Sequence, residues 1–169
     1  MRYLCRSIIA TNSNFTTAAD PPFKNVPILP SGVWILPPTG PPRVLVGWTD
    51  LPNGPNGLAV SEDEQTLYVT VSTVTEDPLA IAAVNQLFAF DLVNIDGGYF
   101  ATRKRTFATS DFGSFGALKV DTKGNIFVAA DDGVQVCFPT VRCALLCSHP
   151  DAQYTLYRGC MSINAQQSQ

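Results

Sequence analysis

The chain is poor in the residues and motifs on which most recognisable chemistry depends. It has one histidine, two methionines and two tryptophans in 169 residues, and 15% of it is charged. A Ser-His-Asp or Cys-His device would need His149, and no Gly-x-Ser-x-Gly elbow is present to present a serine. No glycine-rich phosphate loop appears, because Asp96-Gly97-Gly98 and Asp132-Gly133 read as turns. No stretch approaches the run of about 18 apolar residues that spans a bilayer. The N-terminus MRYLCRSIIATNSNF is too short and too interrupted to read as a secretion signal. No membrane partner is therefore expected. A net charge of −3 gives no electrostatic reason to bind nucleic acid, and Arg103-Lys104-Arg105 reads as a solvated strand or loop. The sequon Asn14-Phe15-Thr16 has meaning only in an exported chain.

What is present points to short strands. Apolar residues make up 46% of the chain, enough for a core, and 12 glycines with 13 prolines make it rich in turns. Val33 to Leu36 and Arg43 to Val46 flank a Pro-rich turn and read as a hairpin. Leu58 to Val60, Leu67 to Val71, Gln86 to Leu92, Arg105 to Ala108, Leu118 to Val120, Ile126 to Ala130 and Val134 to Phe138 follow as further strands. Residues 73 to 85 read as a longer connection with one helical turn around Pro78 to Val84. Trp34, Phe88, Phe90, Phe107 and Phe127 fall at alternating positions and read as sheet-face packing. Glu62, Asp63 and Glu64 read as a solvated turn, and Asp121 to Asn125 as a hairpin turn rather than a calcium loop.

The most informative stretch is PNGLAVSEDEQTLYVT, Pro55 to Thr70, which recurs as FGALKVDTKGNIFVAA, Phe115 to Ala130. The repeat sets Asn56-Gly57-Leu58 against Gly116-Ala117-Leu118, and Leu67-Tyr68-Val69 against Ile126-Phe127-Val128. A recurring unit of paired strands predicts equivalent positions in space. Recurring four-stranded units are the mark of a β-propeller, whereas a sandwich has no reason to repeat the unit. Residues 1–14 read as an irregular N-terminus, 15–138 as the repeating body, and 139–169 as an unrelated, disordered tail. Cys137, Cys143, Cys147 and Cys160 gather at the end of the body and in the tail. The spacing of Cys143, Cys147, His149 and Cys160 is not that of a zinc site, and free thiols are expected.

PNGLAVSEDEQTLYVT resembles the "PNG, apolar, Ser-Pro-Asp-Glu, Leu-Tyr-Val" signature of the senescence marker protein, gluconolactonase and luciferin-regenerating enzyme family. QLFAFDLVNIDGGYFATRKRTFATSDFGSFGALKVDTKGNIFVAADDGVQV is similar to the fungal lactone hydrolases of that family almost throughout. FTTAADPPF, Phe15 to Phe23, is a weaker echo of their "FTDPPYG" segment. The resemblance implies a six-bladed propeller with calcium or another divalent metal on its axis and a small-molecule lactone as substrate. In such a site the ion polarises the lactone carbonyl while an aspartate positions or deprotonates water.

Carried over by position, the resemblance makes Asn56 a metal ligand. The family's "PDG" motif falls on Phe115-Gly116-Ala117, so the position of the catalytic base is Gly116. The glutamate ligand falls upstream of Met1, the substrate-contacting asparagine falls near Asn12 or Asn14, and Val71 stands where many members carry an aspartate. Asp111 is the nearby carboxylate that could substitute as a ligand. Six blades need on the order of 250 residues. The resemblance therefore implies an all-β, partial, about three-blade arc with an irregular C-terminal tail. Its open strand edges invite self-association. Such a chain is expected to be a truncated lactonase, weakly active or inactive, with metal binding weak or absent. The alternative is a non-catalytic propeller fragment or small-molecule-binding remnant, and a strictosidine-synthase type of propeller is a third reading. Loss of strand periodicity after Phe138 fits a tail read from intron or a shifted frame.

Overall fold

A computed structural model describes residues 2–4, 7–12, 30–51, 54–72, 85–110, 114–131, 133–138 and 141–148, without the side chains of 2–4 and 141–148. The described residues form twelve strands in three four-stranded antiparallel sheets, and no helix. In the first sheet, β1 (Arg2–Leu4), β2 (Ser7–Asn12), β3 (Gly32–Leu36) and β4 (Arg43–Gly47) lie side by side in chain order. The second holds β5 (Pro55–Val60), β6 (Thr66–Val71), β7 (Asn85–Ile95) and β8 (Gly98–Ser110) in the same way. The third holds β9 (Phe115–Val120), β10 (Ile126–Ala130), β11 (Gly133–Phe138) and β12 (Val141–Ser148). A plain meander of neighbouring strands needs only short turns, which the many glycines, prolines and aspartates supply.

The sheets stack face to face around two cores. Ile9, Val33 and Ile35 of the first sheet meet Val60, Leu67, Val69, Phe88 and Phe90 of the second. On its other face the second sheet presents Ala59, Tyr68, Leu87 and Ala89 to Phe115, Leu118, Ile126 and Val128 of the third. The middle sheet is thus apolar on both faces, which is why β6 and β7 read as near-continuous apolar runs. Tyr68 stacks edge-on against Phe107 at 5.4 Å, and burial pushes its phenol above the ordinary tyrosine value.

The repeat is a true structural equivalence. Leu58, Ala59 and Val60 pair with Val69, Tyr68 and Leu67. Leu118, Lys119 and Val120 pair with Val128, Phe127 and Ile126. The intervening turns also match. Ser61 N–H donates to the Thr66 carbonyl at 2.9 Å, and Asp121 N–H donates to the Asn125 carbonyl at 2.9 Å. Each turn has one residue in the left-handed region, Glu64 at φ 58° and Gly124 at φ 81°. The second turn is one residue shorter, which shifts the sequence register of the following strand without altering its pairing.

Two boundaries differ from the sequence expectation. Within the segment 1–14, expected to be irregular, Arg2–Leu4 and Ser7–Asn12 are strands, and Ile9 is fully buried. One partner of β2, β3, lies across the segment 13–29, out of reach of a local pattern, and the other, β1, is only three residues long. At the other end the ladder continues past Phe138, since β12 pairs with β11. Val141–Ser148 carries a continuous apolar run in place of alternation, which hides a strand from a period-two reading. Cys137 is fully buried and disulfide-bonded, not a free thiol. A disulfide depends on which strands meet, and that is not written in cysteine spacing. Residues 149–169 and the turn expected at Pro78 to Val84 lie outside the described residues.

The basic run sits on β8, where Arg103 and Arg105 both pair with Asp91. Lys104 lies 4.2 Å from the centre of the Phe88 ring and donates to the Asp50 carbonyl. Glu62 and Asp63 are exposed in the expected turn, where Asp63 accepts from the Ser61 hydroxyl at 2.6 Å, while the half-buried Glu64 accepts from the Tyr99 hydroxyl at 3.0 Å.

Candidate functional site

The repeat brings its two copies together at one place. β5 and β9 run beside each other, and Gly57 lies so close to the next sheet that an added Cβ would sit 2.4 Å from the Gly116 carbonyl oxygen. Only glycine permits that approach. Around it the second sheet reaches into the third with polar side chains. Thr70 is fully buried, accepts from the Gly57 N–H at 2.7 Å and donates to the Gly116 carbonyl at 2.8 Å. The buried Ser72 hydroxyl donates to the Phe115 carbonyl. Asn56 is exposed, and its Nδ2 donates to the same carbonyl at 3.0 Å. The first sheet joins the seam where the Thr11 hydroxyl donates to the Asn56 carbonyl at 3.1 Å.

Asn56 and Gly116, the two positions singled out in the sequence, therefore lie across one seam. Gly116 has room for a side chain, since the nearest atoms to an added Cβ are the Ala129 carbonyl oxygen at 3.6 Å and the Ala129 Cβ at 3.8 Å. It carries none. Val71 is buried in the core between the first and second sheets. Asn12 lies on β2, and its Nδ2 donates to the Pro30 carbonyl at 3.2 Å. Asp111, Asn14, His149 and Cys160 fall outside the described residues. A carboxylate that the sequence did not single out, Asp131, stands at the end of β10 and accepts from the Ser114 N–H at 2.7 Å. Thr70 and Ser72 were missed as well. The visible signal was polar residues at the end of an otherwise apolar strand, beside the repeated unit.

A hard divalent cation takes six to eight oxygen ligands. This seam offers the Asn56 amide oxygen and no side chain at position 116. The Phe115 and Gly116 carbonyls already accept hydrogen bonds from Asn56, Ser72 and Thr70. No group of three or more His, Cys, Asp or Glu side chains that could hold a metal exists among the described residues. The described donor set does not fit a calcium centre.

A cavity of about 360 Å³ lies away from the seam, between the β3–β4 and β7–β8 turns. There Arg43 donates to the Tyr99 carbonyl at 2.6 Å and lies 4.8 Å from the centre of the Phe100 ring, so its cation is already engaged.

Three stacked antiparallel meanders with a repeated first hairpin define an all-β, partial propeller arc. Among solved structures the chain is similar to the gluconolactonase of Xanthomonas campestris, with 28% identity and a TM-score of 0.55. The match covers 77% of this chain and 39% of that one, so the chain spans well under half the length of the gluconolactonase. No family model and no curated protein matches the chain.

Proposed function

We propose that the chain derives from a metal-dependent sugar-lactone hydrolase of the gluconolactonase type, and that it opens lactones weakly or not at all. The likeness to a solved gluconolactonase supports the lineage. One observation carries the reading of low activity. Position 116, across the seam from Asn56, is a glycine with space around it and no carboxylate. A lactonase of this type needs a carboxylate to take a proton from water and oxygen ligands to hold the ion beside it. Glycine supplies neither. Asn56 instead fastens one sheet to the next, with Thr70 and Ser72. That placement favours the second reading, a non-catalytic arc that retains the architecture.

The test is lactone ring opening, followed as acid release from an aldonolactone with and without calcium. The chain and a Gly116→Asp variant are compared against the uncatalysed rate. The variant is expected to fold, because an added Cβ meets only ordinary contacts. Both are expected at background. One carboxylate beside one amide oxygen remains short of the ligand number a hard cation takes. Calcium titration by calorimetry is expected to show no tight site in either. Fast, calcium-dependent turnover by the unmodified chain, far above the uncatalysed rate, refutes the proposal of weak or absent activity.

A further inference from the structure

The core between the first and second sheets opens at one end, and a polar group stands on each side of the opening. β2 begins there with Ser7, which lies on the same side of the strand as the core residue Ile9. Ser7 is 5% exposed and lines the cavity of about 360 Å³ between the β3–β4 and β7–β8 turns. Its hydroxyl makes no hydrogen bond among the described residues. A buried hydroxyl without a partner is unfavourable unless something in the cavity supplies one. Arg43, the first residue of β4, stands on the other side. Its Nη2 donates to the Tyr99 carbonyl, and its guanidinium lies against the Phe100 ring. Gly98 leaves room for it, since an added Cβ there would come within 3.3 Å of Arg43 Nη2. These contacts hold the guanidinium in place without neutralising it, because neither partner is a carboxylate.

Arg43 is half-buried and forms no salt bridge among the described residues, where Asp91 takes both basic partners of its own strand pair. A guanidinium carries five N–H donors in a flat fork that matches a carboxylate, and only one of them is held by Tyr99. What the cavity lacks is therefore a counter-charge with oxygen atoms. Its walls are otherwise largely apolar, from Ile35, Pro37 and Pro41. The exposed Asp96 also lines it and makes no salt bridge with Arg43, so a second negative charge on an occupant would be repelled. We propose that this cavity binds a small organic monocarboxylate, with the carboxylate on the remaining N–H groups of Arg43, one oxygen on the Ser7 hydroxyl and the apolar body against Ile35 and the two prolines. The volume is at the lower end of the range for small-molecule sites. A neutral sugar would leave the charge of Arg43 unanswered, and a polyanion would meet Asp96. The site is separate from the seam of Asn56 and Gly116. Ser7 and Thr11, which bonds to Asn56, lie at different ends of β2, roughly 13 Å apart along an extended strand. This inference does not rest on the lactonase reading, and its test reads binding alone.

The probe is benzoate, a single carboxylate on a compact apolar body. NMR titration of the 169-residue chain is expected to give saturable backbone-amide shifts that concentrate at Thr39, Gly40, Gly97 and Gly98, which line the cavity. Benzamide has the same shape without the charge, and is expected to bind roughly tenfold more weakly or worse. Inorganic phosphate and the dianion phthalate are expected to bind more weakly than benzoate. Arg43→Met removes the charge and is expected to weaken benzoate roughly tenfold while leaving benzamide unchanged. Thr39→Glu, at an exposed position in the cavity wall, adds a second negative charge and serves the same purpose if circular dichroism shows Arg43→Met unfolded. Ser7→Ala is expected to weaken benzoate to a smaller extent. An absence of saturation by about 10 mM benzoate overturns the proposal. So does benzamide or phosphate binding as tightly as benzoate, shifts that fall elsewhere in the chain, or a folded Arg43→Met or Thr39→Glu variant that keeps the parent affinity.

Discussion

Thr70 uses one hydroxyl twice, as acceptor for the Gly57 N–H and as donor to the Gly116 carbonyl, with no exposure to solvent. Valine has the same shape and neither capacity. Thr70→Val strands a backbone donor and weakens an acceptor at the seam, and is expected to cost about 1–3 kcal/mol. The shift of the urea midpoint measures it. Asp63 and Asp121 act at the other ends of the same strands. The Ser61 hydroxyl and the Gln65 N–H hold the Asp63 carboxyl below its ordinary value. Asp121 is pushed up by desolvation, but hydrogen bonds from Asn125 and Lys123 outweigh this and leave it lowered as well. A carboxyl lowered by folding stabilises above its unfolded value and ceases to do so as pH falls through the folded value. Stability is therefore expected to fall on acidification below the ordinary aspartate range. Asp63→Asn combined with Asp121→Asn is expected to flatten that acid limb. An unchanged limb in thermal melts across pH would contradict the assignment.

At the scale of the strand pair, the two copies of the repeat make opposite demands at neighbouring positions. Gly57→Ala drives a Cβ to 2.4 Å from the backbone oxygen of Gly116 and 2.9 Å from Leu118, so β5 and β9 must part. The expected loss is about 1–3 kcal/mol. Gly116→Ala meets nothing closer than 3.6 Å and is expected to stay within about 0.5 kcal/mol of the parent. Chemical denaturation of the two variants side by side distinguishes close approach from tolerance. The hairpin of β5 and β6 and that of β9 and β10 were legible from the repeat, including the equivalence of Tyr68 with Phe127, because turn chemistry and apolar alternation are local signals. β2 and β12 were not. The first finds its partner across a long connection, and the second has no alternation to betray it. Asn56 and Gly116 could be named from the sequence. The hydroxyls of Thr70 and Ser72 could not, since their partners are backbone carbonyls in another sheet.

For the molecule as a whole, cohesion differs from place to place. The disulfide of Cys137 ties a fully buried strand position of the third sheet. Reduction is expected to lower stability by about 2–4 kcal/mol. Thermal melts with and without dithiothreitol report it, and identical midpoints would contradict the bond. Across the rest of the interface between the second and third sheets, contact is mainly apolar: Leu87, Ala89, Ile126 and Val128 meet there. The contact along β5 and β9 is made of directional hydrogen bonds from Asn56, Thr70 and Ser72. Cooling weakens apolar attraction. On cooling, the pages of this book loosen before its spine: the apolar faces weaken while the binding at Gly57 and Gly116 keeps its grip.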